Sequence, residues 1–103
     1  MTRVGSLSGL PPGTTREVVH SGRTYVLCNA DGAVTALDGV CPHRGGPLGF
    51  GHLVDGRVVC PWHLWEFDCH TGEYDYNRSC KLGTYAVEVE GDDIFADLPE
   101  SHA

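Results

Sequence analysis

The chain of 103 residues has no long apolar run. Its longest uninterrupted apolar stretches are about four residues, as in Tyr25-Val26-Leu27-Cys28, whereas a membrane-spanning helix needs about 20. Basic residues are scarce, 7 Lys and Arg against 14 Asp and Glu, for a net charge of -7. That balance excludes the basic footprint that nucleic acids and anionic membranes require. Solubility alone accounts for the charge, which would also suit a partner with a basic docking face. The opening residues Met1-Thr2-Arg3-Val4-Gly5-Ser6 carry no apolar export region and no paired arginines, so the expected location is the cytoplasm. No repeat or low-complexity segment stands out. No segment keeps a 3.6-residue apolar period over three turns, so no long helix is expected. The length suits one domain and leaves no room for a separate catalytic domain. The five cysteines cannot all pair internally, and in a reducing compartment they serve more often as metal ligands, reactive groups or buried thiols than as disulfides.

What the chain does have is turns. Its 14 glycines and 6 prolines recur between short segments rich in β-branched and aromatic residues, the signature of an all-β sandwich or barrel. Thr24 to Cys28 and Ala33 to Leu37 flank Asn29-Ala30-Asp31-Gly32, which predicts a hairpin. A second hairpin is expected across Glu90-Gly91-Asp92-Asp93. There Tyr85, Val87 and Val89 would share one face, and Ile94, Ala96 and Leu98 would alternate with Phe95 and Asp97. The middle differs in composition. Residues 39–72 hold four of six histidines, three of five cysteines, both tryptophans and seven glycines. The reading is a site-bearing subdomain of about 39–76 set into a base of about 1–38 and 77–103.

Two short motifs dominate that middle: Cys41-Pro42-His43-Arg44-Gly45-Gly46-Pro47-Leu48 and Cys60-Pro61-Trp62-His63. Each supplies one thiolate and one imidazole within a single turn, and proline and glycine shape the loops. Two such loops facing each other make a site of two cysteines and two histidines. Zinc accepts that donor set. Common zinc fingers, however, group the cysteines together and place the histidines on a helix, and no helix is expected here. Mixed loops suit a two-iron cluster with both cysteines on one iron and both histidines on the other.

C-x-H followed after sixteen residues by C-x-x-H resembles the Rieske family of two-iron two-sulfur proteins. The likeness extends through Arg44-Gly45-Gly46-Pro47-Leu48-Gly49, Gly56-Arg57-Val58-Val59, Phe67-Asp68, Thr71-Gly72 and the tail from Lys81 to Ile94. It is weakest over the first dozen residues. It implies a Rieske-like fold, an antiparallel β-sandwich base carrying a small cluster-binding subdomain. Cys41 and Cys60 would bind the inner iron of one 2Fe-2S cluster, and His43 and His63 the outer iron. Gly45, Gly46 and Leu48 would offer backbone N–H groups to the cluster sulfurs. Trp62 and Leu64 would form an apolar rim. Trp65 and Phe67 are read as core residues, with Glu66 and Asp68 outward.

Departures from the family pattern place the chain within it. The disulfide that joins the cluster loops in respiratory Rieske proteins would need cysteines near Gly46 and at Trp62, so it is absent. Those proteins also put hydroxyl residues two and four positions after the second histidine ligand, where Trp65 and Phe67 stand. The expectation is a low-potential ferredoxin near the family's lower end of about −150 mV. Its shielding segment is altered to Asn77-Arg78-Ser79-Cys80. Cys28 is expected as a buried thiol. Cys69 and Cys80 could pair, though free thiols are expected. His20, His52, His70 and His102 are read as surface or turn residues. The resemblance implies a one-electron carrier between a flavin-dependent reductase and a terminal oxygenase, such as a ring-hydroxylating dioxygenase. The alternatives are a small subunit of an NAD(P)H nitrite reductase and a zinc-stabilised module.

Overall fold

The computed structural model of the chain describes residues 1–41, 46–62, 65–74 and 77–99, with 77–80 as backbone alone. Among the described residues, twelve short strands are assembled into three sheets, and no α-helix occurs. The central sheet pairs β2 (Thr15–His20), β3 (Arg23–Ala30), β4 (Ala33–Asp38) and the two-residue β10 (Thr84–Tyr85). A three-stranded sheet joins β1 (Thr2–Ser6), β12 (Asp93–Ala96) and β11 (Val87–Glu90). The third sheet runs in chain order: β5 (His52–Val54), β6 (Arg57–Val59), β7 (Glu66–Asp68), β8 (Glu73–Tyr74) and β9 (Asn77–Lys81). All the pairings are antiparallel.

Local chemistry sets the hairpins. Asp31-Gly32 and Asp55-Gly56 are two-residue turns with φ of 55° and 95°, and of 50° and 77°. Positive φ at both central residues is the turn that matches strand twist, and Asp-Gly is its preferred sequence. The expected hairpin at Asp31-Gly32 therefore forms, with strands longer than expected. The hairpin across Gly91-Asp92 also forms, and Ile94 and Ala96 point into the core. Its partner strand differs from expectation. Tyr85 pairs with Ala36 of the central sheet, whereas Val87 pairs with Ala96 of the other, so the chain changes sheets between them. Val89 stands on an edge strand and is 43% exposed rather than inward.

The central sheet lies between two cores because strand side chains alternate. Tyr25 and Leu27 of β3 pack with Leu10, Ala36, Ile94, Ala96 and Leu98. Val26 and Cys28 of the same strand pack with Leu37, Leu48, Val58, Phe67 and Leu82. Each fully buried large apolar side chain stabilises the fold by about 1.5–3 kcal/mol.

One cluster of bonds fixes the neck through which the third sheet is attached. Asp38 ends β4, and Gly83 lies where the chain returns after β9. The Asp38 N–H donates to the Gly83 carbonyl at 3.0 Å, and Gly83 N–H donates to Asp38 Oδ2 at 2.8 Å. The Tyr85 hydroxyl donates to Asp38 Oδ1 at 2.6 Å. The two chain segments that enter and leave the third sheet are thus clamped side by side. The last strand of that sheet ends at Lys81.

Candidate metal centre

The two motifs lie at the same end of the third sheet, one before β5 and one between β6 and β7. A backbone bond closes each loop at its base. Cys41 N–H donates to the Gly46 carbonyl at 2.9 Å, and Cys60 N–H donates to the Trp65 carbonyl at 2.8 Å. Each cysteine therefore sits at the root of a loop whose far end is tied back five residues later. Val40 and Pro47 bridge beside the first loop, and the 3₁₀ turn Leu48–Phe50 follows it. Leu48 fills the core under the site with no exposure.

Cys41 and Cys60 are 2% and 0% exposed and lie together in one buried core. The structure thus brings the two expected thiolate ligands together. His43 and His63, the expected imidazole ligands, lie outside the described residues, as do Gly45 and Leu64. Trp62 is half exposed beside the second loop, in keeping with a rim residue. Trp65 stacks on Tyr74 with centroids 4.0 Å apart and planes 9° from parallel, and Phe67 is fully buried. Both are packing residues, as expected. Neither side chain carries a hydroxyl to donate to a sulfur.

Two details were not anticipated. The Leu48 N–H donates to the Gly39 carbonyl at 3.0 Å and is committed there, not to the site. Among the described residues, the Trp62 N–H donates to the Cys60 thiol. The loop spacing could have suggested the second, because Trp62 lies two residues beyond a cysteine held at a loop root.

Burial pushes the Cys60 thiol up, and the Trp62 N–H works against that shift without cancelling it. A bare thiolate is costly in such a site, and a bound cation removes that cost. The packing leaves no spare volume on one side. A Cβ added to Gly46 would lie 2.6 Å from Cys60 Sγ and 3.3 Å from Trp62 Cβ. Two adjacent, dehydrated thiols roofed by glycine and served by a backbone N–H suit a thiolate-bound metal centre.

A β fold of this layout with paired, buried thiols at the roots of two loops is the setting of one class, the small metal-cluster proteins. The chain matches the family described as the Rieske 2Fe-2S domain over residues 1–86, and it belongs to that family. The group of the family is one 2Fe-2S cluster, and the donor chemistry here fits it. The chain is 32% identical over 99 residues to the biphenyl dioxygenase ferredoxin subunit of Pseudomonas sp. strain KKS102, covering 94% of this chain and 91% of that one. Its structure superposes with a TM-score of 0.81 on the ferredoxin of carbazole 1,9a-dioxygenase from Nocardioides aromaticivorans IC177, at 26% identity, covering 92% and 94% of the two chains. A Mycobacterium tuberculosis chain provisionally described as an NADH-dependent nitrite reductase small subunit gives a TM-score of 0.82, with 95% of each chain covered. At 23% identity that likeness shows the shared fold.

Proposed function

We propose that the chain is a one-electron carrier of the ferredoxin type, serving a multicomponent oxygenase. Cys41 and Cys60 bind one iron of the cluster, and His43 and His63 bind the other. The cluster supplies a reversible one-electron change. The protein's own groups do the rest: Gly46 and Leu48 exclude water from the thiolates, the Trp62 N–H supports the Cys60 sulfur, and exposed Trp62 presents an apolar contact beside it. The base of about 1–38 and 77–103 carries the cluster-bearing segment of about 39–76 through the Asp38 clamp. Electrons come from a flavin-dependent reductase and go to a terminal oxygenase such as a ring-hydroxylating dioxygenase. The reading rests above all on the paired, buried thiols of Cys41 and Cys60 at the roots of two closed loops. Similarity to dioxygenase ferredoxins over nearly the whole chain supports it. The acidic surface suits a basic docking face, and association should weaken with added salt.

Low-temperature EPR of the anaerobic, dithionite-reduced protein tests the reading. A rhombic signal with an average g well below that of all-cysteine clusters is expected. A colourless protein that contains zinc and gives no signal would overturn it. Stable co-purification with a flavin- and haem-bearing subunit would point instead to the nitrite reductase assembly. The potential should fall near about −150 mV, since Trp65 and Phe67 offer no hydroxyl.

A further inference from the structure

The two buried thiols of the site hang from different sheets. Cys60 follows β6 of the third sheet, and its loop is closed at Trp65, just before β7. Cys41 follows β4 of the central sheet, two residues after Gly39. Gly39 lies close against β3. Its N–H donates to the Thr24 carbonyl at 3.0 Å, and its carbonyl accepts the Leu48 N–H at 3.0 Å from the far side of the first loop. A Cβ at Gly39 would lie 2.7 Å from the Tyr25 carbonyl carbon, 2.8 Å from the Tyr25 nitrogen and 2.9 Å from the Thr24 carbonyl carbon. Those are backbone atoms of a strand that is paired on both sides, so they cannot step aside. The far end of the loop is tied to the same sheet. Thr15 Oγ1 of β2 donates to the Gly49 and Gly51 carbonyls at 3.2 and 3.3 Å.

We propose that Gly39 and Asp38 are positioning residues for electron transfer: Gly39 seats the first ligand loop on β3, Asp38 ties that loop to the chain returning from the third sheet, and together they set the height of Cys41 against Cys60.

The bonds run from one sheet to the other without a gap. Leu82 N–H donates to the carbonyl of Gly72, in the turn before β8, at 2.8 Å. The next residue, Gly83, holds Asp38 through both its N–H and its carbonyl. Asp38 leads directly into Gly39, and Gly39 is bonded to β3. Slack anywhere along this path lets one thiolate move relative to the other. The inference rests on the carrier reading, in which both thiolates bind one iron, so that such a movement is felt at a single metal.

The sign follows from burial. Cys41 and Cys60 are almost completely shielded from water. Two ferric ions, two sulfides and two thiolates are neutral together, and an added electron makes the set anionic. Shielding therefore disfavours the reduced form. A side chain at Gly39 would lift Cys41 from β3 and bring water nearer the thiolates. The reduced form gains by that, and the potential should rise.

Redox titration of the cluster-loaded protein, followed by visible absorbance and EPR, tests the proposal. In Gly39→Ala the ratio of reduced to oxidised cluster at a fixed potential should rise about ten-fold, which is about 59 mV for one electron. The g-values should move with it. Asp38→Asn keeps the size of the side chain but turns an NH₂ toward one of the two donors that Asp38 now accepts. It should shift the potential the same way by less. Ile94→Ala, which weakens the fold through the other core, should titrate as the wild type does, so lost stability would not account for the shifts. Should Gly39→Ala hold no cluster, the Asp38→Asn shift decides. Wild-type potentials in the loaded variants, with the rhombic signal intact, would overturn the proposal, as would an equal shift in Ile94→Ala. A wild type without a rhombic signal would instead overturn the carrier reading, and the proposal with it.

Discussion

The two faces of the central sheet are built from the same strands and serve different ends. On one face, Tyr25, Leu27, Ala36, Ile94 and Ala96 form a core that contains no cysteine. On the other, the core takes in Cys28, Cys41, Cys60 and Cys69, the four described free cysteines, all buried. The first face stabilises by apolar area alone. The second devotes part of its burial to sulfur, whose value lies in reactivity rather than packing. Alternation along β3 makes the division possible: Tyr25 and Leu27 turn one way, Val26 and Cys28 the other. Stability and chemistry should therefore be separable by mutation, although no more than a strand's thickness divides them.

The sharpest way to break the comparison is Gly46→Ala. The added methyl would meet Cys60 Sγ at 2.6 Å, between two residues whose positions are tied by backbone bonds. Neither neighbour is the free end of a flexible side chain, so the strain falls on the site. Iron and visible absorbance per chain should fall roughly two-fold or more, with the far-UV circular dichroism of the base little changed. Full cluster content in that variant would show that the loops yield more readily than their bonds imply.

A matched pair of core truncations comes next. Ile94→Ala and Phe67→Ala remove side chains that are both 0% exposed, one from each core. The expected losses are about 2–5 kcal/mol and about 3–5 kcal/mol in denaturant unfolding. The discriminating readout is the cluster. Ile94→Ala should leave its absorption and EPR spectra unchanged, because the central sheet stands between. Phe67→Ala should alter them, because Phe67 shares a core with Cys41 and Cys60. Equal spectral effects would mean that the two faces do not act separately.

Some of this organisation was legible in the residues and some was not, for reasons of range. Asp31-Gly32 announces its hairpin because the turn's backbone demands are local. The two ligand motifs are legible because metal chemistry fixes residue types at short spacing. The attachment of β1 to β12 is not, since Thr2 and Ala96 meet only after the whole chain has folded. Alternation places Tyr85 in the last hairpin and cannot reveal that the strand changes sheets at Ala86. Cys28 is buried as its strand position implies, but its sharing a core with Cys69 joins positions that no motif relates. The Leu48 N–H failed its expected role because Gly39, nine residues earlier, takes the bond first.

The smallest expected effect concerns the neck that joins the two regions. Burial first, and then the Asp38 carboxylate that accepts its hydrogen bond, push the Tyr85 hydroxyl up to about 12. A tyrosine in the unfolded chain titrates near about 10. The folded state therefore favours the protonated phenol. The stabilisation it supplies is whole below the unfolded value and is lost as pH rises through the folded one. Tyr85→Phe keeps the ring and its edge contact with Tyr25, with centroids 5.2 Å apart, but removes the 2.6 Å bond to Asp38. Asp38 keeps the Gly83 N–H, so the clamp is weakened rather than opened. At neutral pH the variant should be less stable by about 1.5 kcal/mol, the scale of a hydrogen bond to a charged group. Between about pH 10 and 12 the wild type should lose this advantage and the two stability curves should converge. Urea unfolding followed by circular dichroism at several pH values would show it. Curves that stay parallel through pH 12 would mean that the bond to Asp38 does not hold the neck, and that backbone pairing at Gly83 alone couples the two regions.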